Sequence, residues 1–548
     1  MLHRGSSAFD GRFVGLIALA GISNAALLAI INAGAENAAN QDVNAWLLSL
    51  FMLVILLYIS TQRHILLTSI REVERILDGI RITLSDRIRR SGLLAVEHIG
   101  RAEIYASVNR ETVTISQAAA TMVIACQSLL LVLFSVGYLA YLSVTAFVLT
   151  AAFTSLSLLM HFRRAAELTR LREESIAQEN RFFDSLTDLL DGFKEVKMSE
   201  PRSEDLFQHL RDISRQAADI KVRTGTGFAE HFIFAQAAFY LLIAVIVFVV
   251  PRMSPTYTDV ITKATAAILF VIGPLGGVVS SIPAFTNANA AALNILRVEE
   301  LLSRPEAQEP AGLVLPAPAP FQVLSVRDVT FQYADKGGPA FTVGPLSLDI
   351  RRGETTFVVG GNGSGKSTFI KLLTGLYHPQ SGVISIDGSP VTQETLAPYR
   401  SHFGTIFSDY HLFERLYGLR NVDSVRVQEL LVLMDLDRKT AFDGTRFTNL
   451  DLSSGQRKRL ALLVTLLEDR PIVVLDEWAA DQDPVFRRFF YERILDDLKK
   501  RGKTIVAVTH DDKYFSVADR ILRMDFGQIV PHDAAAARVI AGGGRKQA

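Results

Sequence analysis

Three short segments in the last third of the 548-residue chain carry residues able to do chemistry: GGNGSGKST at 360–368, LSSGQ at 452–456 and IVVLDE at 472–477. The spacing G-x-x-x-x-G-K-[ST] lets Gly360, Gly363 and Gly365 turn successive backbone N–H groups inward on a polyphosphate, and the positive end of a following helix adds to the pull. Asn362 and Ser364 complete the loop and Thr368 closes the motif. Lys366 is expected to reach the β- and γ-phosphates, and Ser367 to ligate Mg²⁺. Asp476 is the residue type that holds Mg²⁺ in such sites. Glu477 beside it is placed to orient an attacking water.

These residues need a scaffold that aims them at one point. TTFVV before the glycine loop reads as a buried strand and STFIKLLTGL after it as a helix; Asp476 ends a second apolar strand. The last third is therefore expected to be an α/β P-loop nucleotide-binding domain.

LSSGQ resembles the signature motif of ATP-binding-cassette proteins. The resemblance implies that Ser453, Ser454, Gly455 and Gln456 meet the γ-phosphate of an ATP held by an opposite subunit, so that two cassettes close on two ATP molecules. It also implies Tyr333, in VTFQY, as the aromatic that stacks on adenine, Asp483 as a dimer contact and His510, in VAVTHDD, as a switch at the γ-phosphate. Lys366, Glu477 and His510 are then the catalytic group, with ATP and Mg²⁺ as cofactors. An ordinary strand aromatic is the alternative for Tyr333.

The remainder of the chain is apolar. Hydrophobic residues make up 49% of the sequence and mean hydropathy is +0.24, although the last third is rich in charge. Stretches near the roughly 20 residues needed to cross a bilayer occur at 13–33, 46–62, 118–138, 142–162, 232–250 and 261–282. Six spans are expected. Arg63, Arg71, Arg75, Arg81, Arg87, Arg89 and Arg90 lie between the second and third, and the segment between the fourth and fifth is also basic. The positive-inside rule places both in the cytoplasm, with the N-terminus and the cassette. The first apolar run exceeds the 7–15 residues of a signal peptide's core, and cleavage after it would leave the orientation of the other five unchanged.

Both basic segments keep apolar residues at helical spacing, as in IREVERILDGIRITLSDRIRR, which predicts helices continuing below the membrane. In exporters of this architecture each leg turns through a short coupling helix that docks on a cassette; the resemblance implies such helices near 98–106 and 180–189. The proline-dense 304–320 reads as an extended linker, giving a transmembrane domain over 1–303 and a cassette over 321–548. Cys126 is the only cysteine, so no intrachain disulfide forms. Formal net charge is zero, and no nucleic-acid partner is expected.

The runs DEWAADQDPVFRRFFYERIL, LSSGQRKRLALLVTLLEDRP, IFSDYHLFERL and VTHDDKYFSVADRIL are similar to the bacterial cyclic-peptide export family of ABC transporters, which includes exporters of syringomycin-type lipopeptides and pyoverdine-type siderophore peptides. The resemblance implies a six-span half-transporter of exporter-type fold that homodimerises in the bacterial inner membrane. Its implied cargo is a peptide or siderophore precursor moved to the periplasm, where an acceptor is unidentified. A lipid or multidrug exporter and a non-transporting membrane sensor ATPase are the alternatives. One departure stands out: Ser408 occupies the position of the usual Gln before Asp-x-x-Leu-Phe, which in the family senses Mg²⁺ and connects to the membrane domain, and its side chain is too short to span that gap without a water. Gln127, Gln236, Asn287 and Asn289 are polar residues within or near spans that either bond neighbouring helices or line a pathway.

Overall fold

The computed structural model describes residues 11–39, 45–249, 261–304, 308–309, 320–333, 341–419 and 422–531. The chain forms two compact units. One comprises Met1–Leu84 with Ile104–Arg297, the other Ser85–Glu103 with Val298–Ala548.

The first unit is helical. Its long helices are Gly11–Ala39, Ala45–Arg90, Arg101–Leu142, Val144–Asp191, Glu200–Ala244 and Ile261–Ser303, some of which run beyond the unit. Among the described residues four helices are long and apolar enough to cross a membrane, and shorter apolar stretches occupy Val144–Phe153 and Gln236–Val249. Along Ala45–Arg90 the residues Trp46, Leu48, Met52, Leu53 and Leu56 are exposed, an apolar surface suited to lipid and not to water. The third and fourth helices are joined through Ser143 alone, whose hydroxyl accepts the Ala146 N–H and caps the fourth. Gln62 donates to Gln127 at 2.9 Å and Arg81 donates to Thr112 at 3.0 Å, so the second and third helices are tied by polar pairs; Gln178 donates to Gln216 across the fourth and fifth. Gln127 is thus a helix-pairing residue, and Gln236 meets Tyr240 one turn on.

The short helices expected between the long ones fall elsewhere. The first is Leu93–Ile99, starting and ending earlier than 98–106, and the second is Phe193–Lys197, whereas 180–189 lies inside the continuous helix Val144–Asp191. Glycine decides the difference. Gly92 and Gly100, the latter at φ +90°, bracket the first, and Gly192 precedes the second. Most of 304–320 lies outside the described residues.

The second unit contains two sheets. β1 (Val323–Gln332), β2 (Thr342–Arg351), β4 (Ser381–Ile386) and β5 (Ser389–Pro390) form an antiparallel sheet in the order β2-β1-β4-β5. β3 (Thr355–Val359), β6 (Phe403–Ile406), β7 (Ile472–Asp476), β8 (Thr504–Val508), β9 (Arg520–Asp525) and β10 (Gln528–Val530) form the other in the order β10-β9-β3-β8-β7-β6, parallel except for β10. β3, β7 and β8 are buried at every position, as strands covered on both faces must be. Their alternate residues feed two cores: Val473, Leu475, Ile505 and Ala507 one, Ile472, Val474, Val506 and Val508 the other.

Candidate functional site

Strand order decides which residues meet. β3, β8, β7 and β6 are neighbours, and at their carboxyl ends the chain runs into the glycine loop, Thr509–His510, Asp476–Glu477 and Ser408 respectively. Open α/β sheets bind ligands at this edge.

The loop leaves β3 at Gly360, φ +156°, where a Cβ would stand 2.2 Å from the Met524 carbonyl oxygen; no side chain fits there. Gly365, at φ +98°, caps the helix Lys366–Leu373, while Gly363 lies at φ +77°. Gly361, Asn362 and Gly363 are exposed, as is Ser367. Ser364 is buried, and its Oγ has no partner among the described residues. Lys366 is buried too, its ammonium donating to the carbonyls of Gly360 and Gly361 at 3.1 and 3.0 Å. Such a loop presents N–H groups, one cation and a helix N-terminus to an anion.

Burial pushes the Asp476 carboxyl above its ordinary value, and hydrogen bonds from Ser367 and Ser408 oppose that rise. Its Oδ1 has no partner among the described residues. This buried acceptor and the Ser367 hydroxyl are hard oxygen donors that fit Mg²⁺. Glu477 turns away from β7 at φ +51°, its Oε1 3.2 Å from His510 Nε2 and 3.9 Å from Lys366 Nζ. Three strands thus bring Lys366, Glu477 and His510 together.

Tyr333 is half-buried, edge-on to Phe331 and Tyr377 with centroids at 5.2 and 6.0 Å, and its hydroxyl lies 3.0 Å from Thr368 Oγ1. The aromatic is therefore fastened to the loop helix itself.

The LSSGQ residues open the helix Ser454–Glu468 with a capping box: Ser453 Oγ accepts the Gln456 N–H at 3.3 Å, and Gln456 Oε1 accepts the Ser453 N–H at 3.2 Å. A Cβ on Gly455 would stand 2.7 Å from the Asp481 carbonyl oxygen, and Gln482 donates to the Gly455 carbonyl at 3.0 Å. Ser453 and Ser454 remain exposed. Asp483 caps the helix Pro484–Phe489, and the Phe486 N–H, followed by the nearby Arg459, holds its carboxyl below the usual range.

Sequence reasoning missed the buried pair Lys458 and Arg459. Lys458 Nζ donates to the Glu477 carbonyl and pairs with Asp481, both at 2.8 Å; Arg459 pairs with Asp483 at 2.5 Å and covers the Phe486 ring. Trp478 Nε1 donates to the Lys458 carbonyl at 2.7 Å. Together they bind the turn that carries Glu477 to the LSSGQ helix. The available signal was two cations immediately preceding LALL, at the start of the helix's buried stretch.

A model of the ABC transporter family matches residues 343–480. The chain is 34% identical over 474 residues to ATP-binding protein SyrD of Pseudomonas syringae pv. syringae, covering 83% of this chain and 82% of that one. It is 27% identical over 348 residues to the ATP-dependent lipid A-core flippase of Aliivibrio fischeri, covering 61% and 57%. The fold is shared with a bacterial Atm1-family ABC exporter solved with ATP bound, at a TM-score of 0.75 and 17% identity over 100% of this chain and 99% of that one. With a nucleotide loop, Walker-type carboxylates and signature helix on one sheet and apolar helices preceding them, the chain belongs to the bacterial cyclic-peptide export family of ABC transporters, as an exporter half-transporter that binds ATP and couples its hydrolysis to transport.

Proposed function

We propose that two copies of this chain form one exporter in the bacterial inner membrane, carrying a cyclic peptide, lipopeptide or peptide siderophore from cytoplasm to periplasm. Residues 1–303 act as the membrane domain, 304–320 as linker and 321–548 as cassette. The two-copy reading is carried by the signature segment: its N-terminus is exposed and capped upon itself, and no hydrogen bond among the described residues joins it to the glycine loop. A second copy supplies that phosphate. Within each site the loop and Lys366 hold the polyphosphate, Tyr333 meets the base, Ser367 and Asp476 hold Mg²⁺, Glu477 orients water and His510 fixes Glu477. The metal's contribution is neutralisation of phosphate charge.

The similarity to SyrD over most of the chain supports the peptide cargo; the lipid A-core flippase similarity favours a second reading, a lipid exporter. ATPase activity of the full chain in proteoliposomes tests both. Several-fold stimulation by a cyclic lipopeptide and none by lipid A is the expected result. The reverse pattern selects the lipid reading, and no response to either points to a sensor.

Ser408 follows β6 beside the strand that ends in Asp476, and its hydroxyl and backbone N–H oppose the rise that burial imposes on that carboxyl. Ser408→Ala is expected to lower basal ATPase up to about tenfold, the worth of one hydrogen bond to a charged group at about 1.5 kcal/mol, with ATP affinity unchanged and Ser408→Thr retaining most of the rate. Wild-type turnover in the alanine variant would show that the contact contributes nothing to hydrolysis.

A further inference from the structure

The helix Leu93–Ile99 has seven residues, with glycine on both sides, too short to hold its own shape. Something must seat it. Leu93 packs on the cassette core, and two carboxylates from different parts of the chain fix the rest.

Glu97 lies on the helix itself. One oxygen takes the Lys371 ammonium at 3.0 Å and the other accepts the Tyr377 hydroxyl at 2.5 Å. Lys371 belongs to the glycine-loop helix, and Tyr377 stacks on Phe331 at 4.8 Å and stands edge-on to Tyr333. Glu309, from the segment read as linker, holds the other end. Its carboxylate takes both arms of Arg400, with Oε1 2.7 Å from Nη2, while Arg400 donates to the Gly375 carbonyl from Nη2 at 2.5 Å and from Nε at 3.1 Å. The Glu309 backbone N–H bonds the Arg90 carbonyl at 2.8 Å, and Gln308 bridges Ser91, so this stretch runs beside the entry to Leu93–Ile99. Gly92, the cap of that helix, would bring a Cβ within 3.4 Å of Glu309 Oε1.

We propose that Glu309 is a positioning residue for coupling: clamped by Arg400, the Gln308–Glu309 stretch straps the helix Leu93–Ile99 against the turn at Gly375–Tyr377 that follows the glycine-loop helix. The strap makes the helix a stiff link into the residues around ATP; without it, Glu97 and the packing of Leu93 on the cassette core hold a short element that frays. A bidentate, half-buried arginine–carboxylate pair has the geometry for such a fixed joint. The strap rests on the exporter reading only for what drives the link.

The experiment uses the full chain in proteoliposomes, as wild type, Glu309→Gln, Arg400→Glu, Glu309→Arg and the charge-exchanged double variant Glu309→Arg/Arg400→Glu. Basal ATPase is expected to stay within about twofold in Glu309→Gln. Hydrogen exchange across 93–99 is expected to rise roughly tenfold, and stimulation by a cyclic lipopeptide to fall on the order of tenfold. The exchanged pair is expected to regain part of the protection that each charge reversal alone loses, the bonds from Arg400 to the Gly375 carbonyl being absent from it. Unchanged exchange across 93–99 in Glu309→Gln overturns the proposal, as does faster exchange with full stimulation, which would make the strap merely structural. Absence of stimulation in wild type counts against the peptide cargo instead, and the exchange and rescue arms then decide the strap.

Discussion

Glu477→Gln is expected to leave ATP binding intact and to slow hydrolysis by roughly 10²–10⁴-fold, the range for loss of a positioned acid–base group. Glutamine keeps the shape, so the turn at φ +51° and the bond from Lys458 to the residue-477 carbonyl survive. What disappears is the negative acceptor 3.2 Å from His510 Nε2. An amide does not take a proton from water, so chemistry stops while closure on ATP proceeds. Retained radiolabelled ATP after gel filtration, alongside steady-state phosphate release, checks both halves. Near-normal release would remove Glu477 from the role proposed for it.

Much of this site was legible because its chemistry is local in sequence. Gly360, Gly363, Gly365, Lys366 and Ser367 fall within eight consecutive positions, and each of these glycines is needed for a backbone angle or close approach that other residues do not supply. The apolar strands around them could be read because β3 and β7 are buried on both faces. The missing parts depend on tertiary placement. Lys458 and Arg459 carry no motif of their own, yet packing turns them inward on Glu477 and Asp483. Glu97 and Glu309 lie 212 residues apart, and no periodicity links them; their common target, the Gly375–Tyr377 turn, exists only in the folded cassette. The family resemblance puts the short helices near 98–106 and 180–189, off the observed Leu93–Ile99 and Phe193–Lys197, because the single glycines that set their ends carry no periodic signal.

Lys366→Ala is expected to fail earlier in the cycle, at binding. The lysine is buried and its ammonium bonds two carbonyls of its own loop, so the cation is held in place before any phosphate arrives. Alanine removes one charge-assisted contact, worth about 1.5–3 kcal/mol or roughly 10- to 100-fold in affinity. It also changes the field around Glu477, whose Oε1 lies 3.9 Å from the ammonium, and leaves that carboxylate and Asp476 facing the phosphates without a neighbouring cation. Arginine is a poor replacement, since the larger guanidinium has no room at a position only 6% exposed. Titration with a fluorescent ATP analogue, with Mg²⁺ and again with chelator, separates the lysine's part from the metal's: the alanine variant binds weakly in both, whereas a metal-site variant such as Asp476→Asn is expected to lose affinity only where Mg²⁺ is present. Wild-type affinity in Lys366→Ala would mean that this loop, despite its geometry, is not where the phosphates sit, and the roles proposed for Ser367, Asp476 and Glu477 would fall with it.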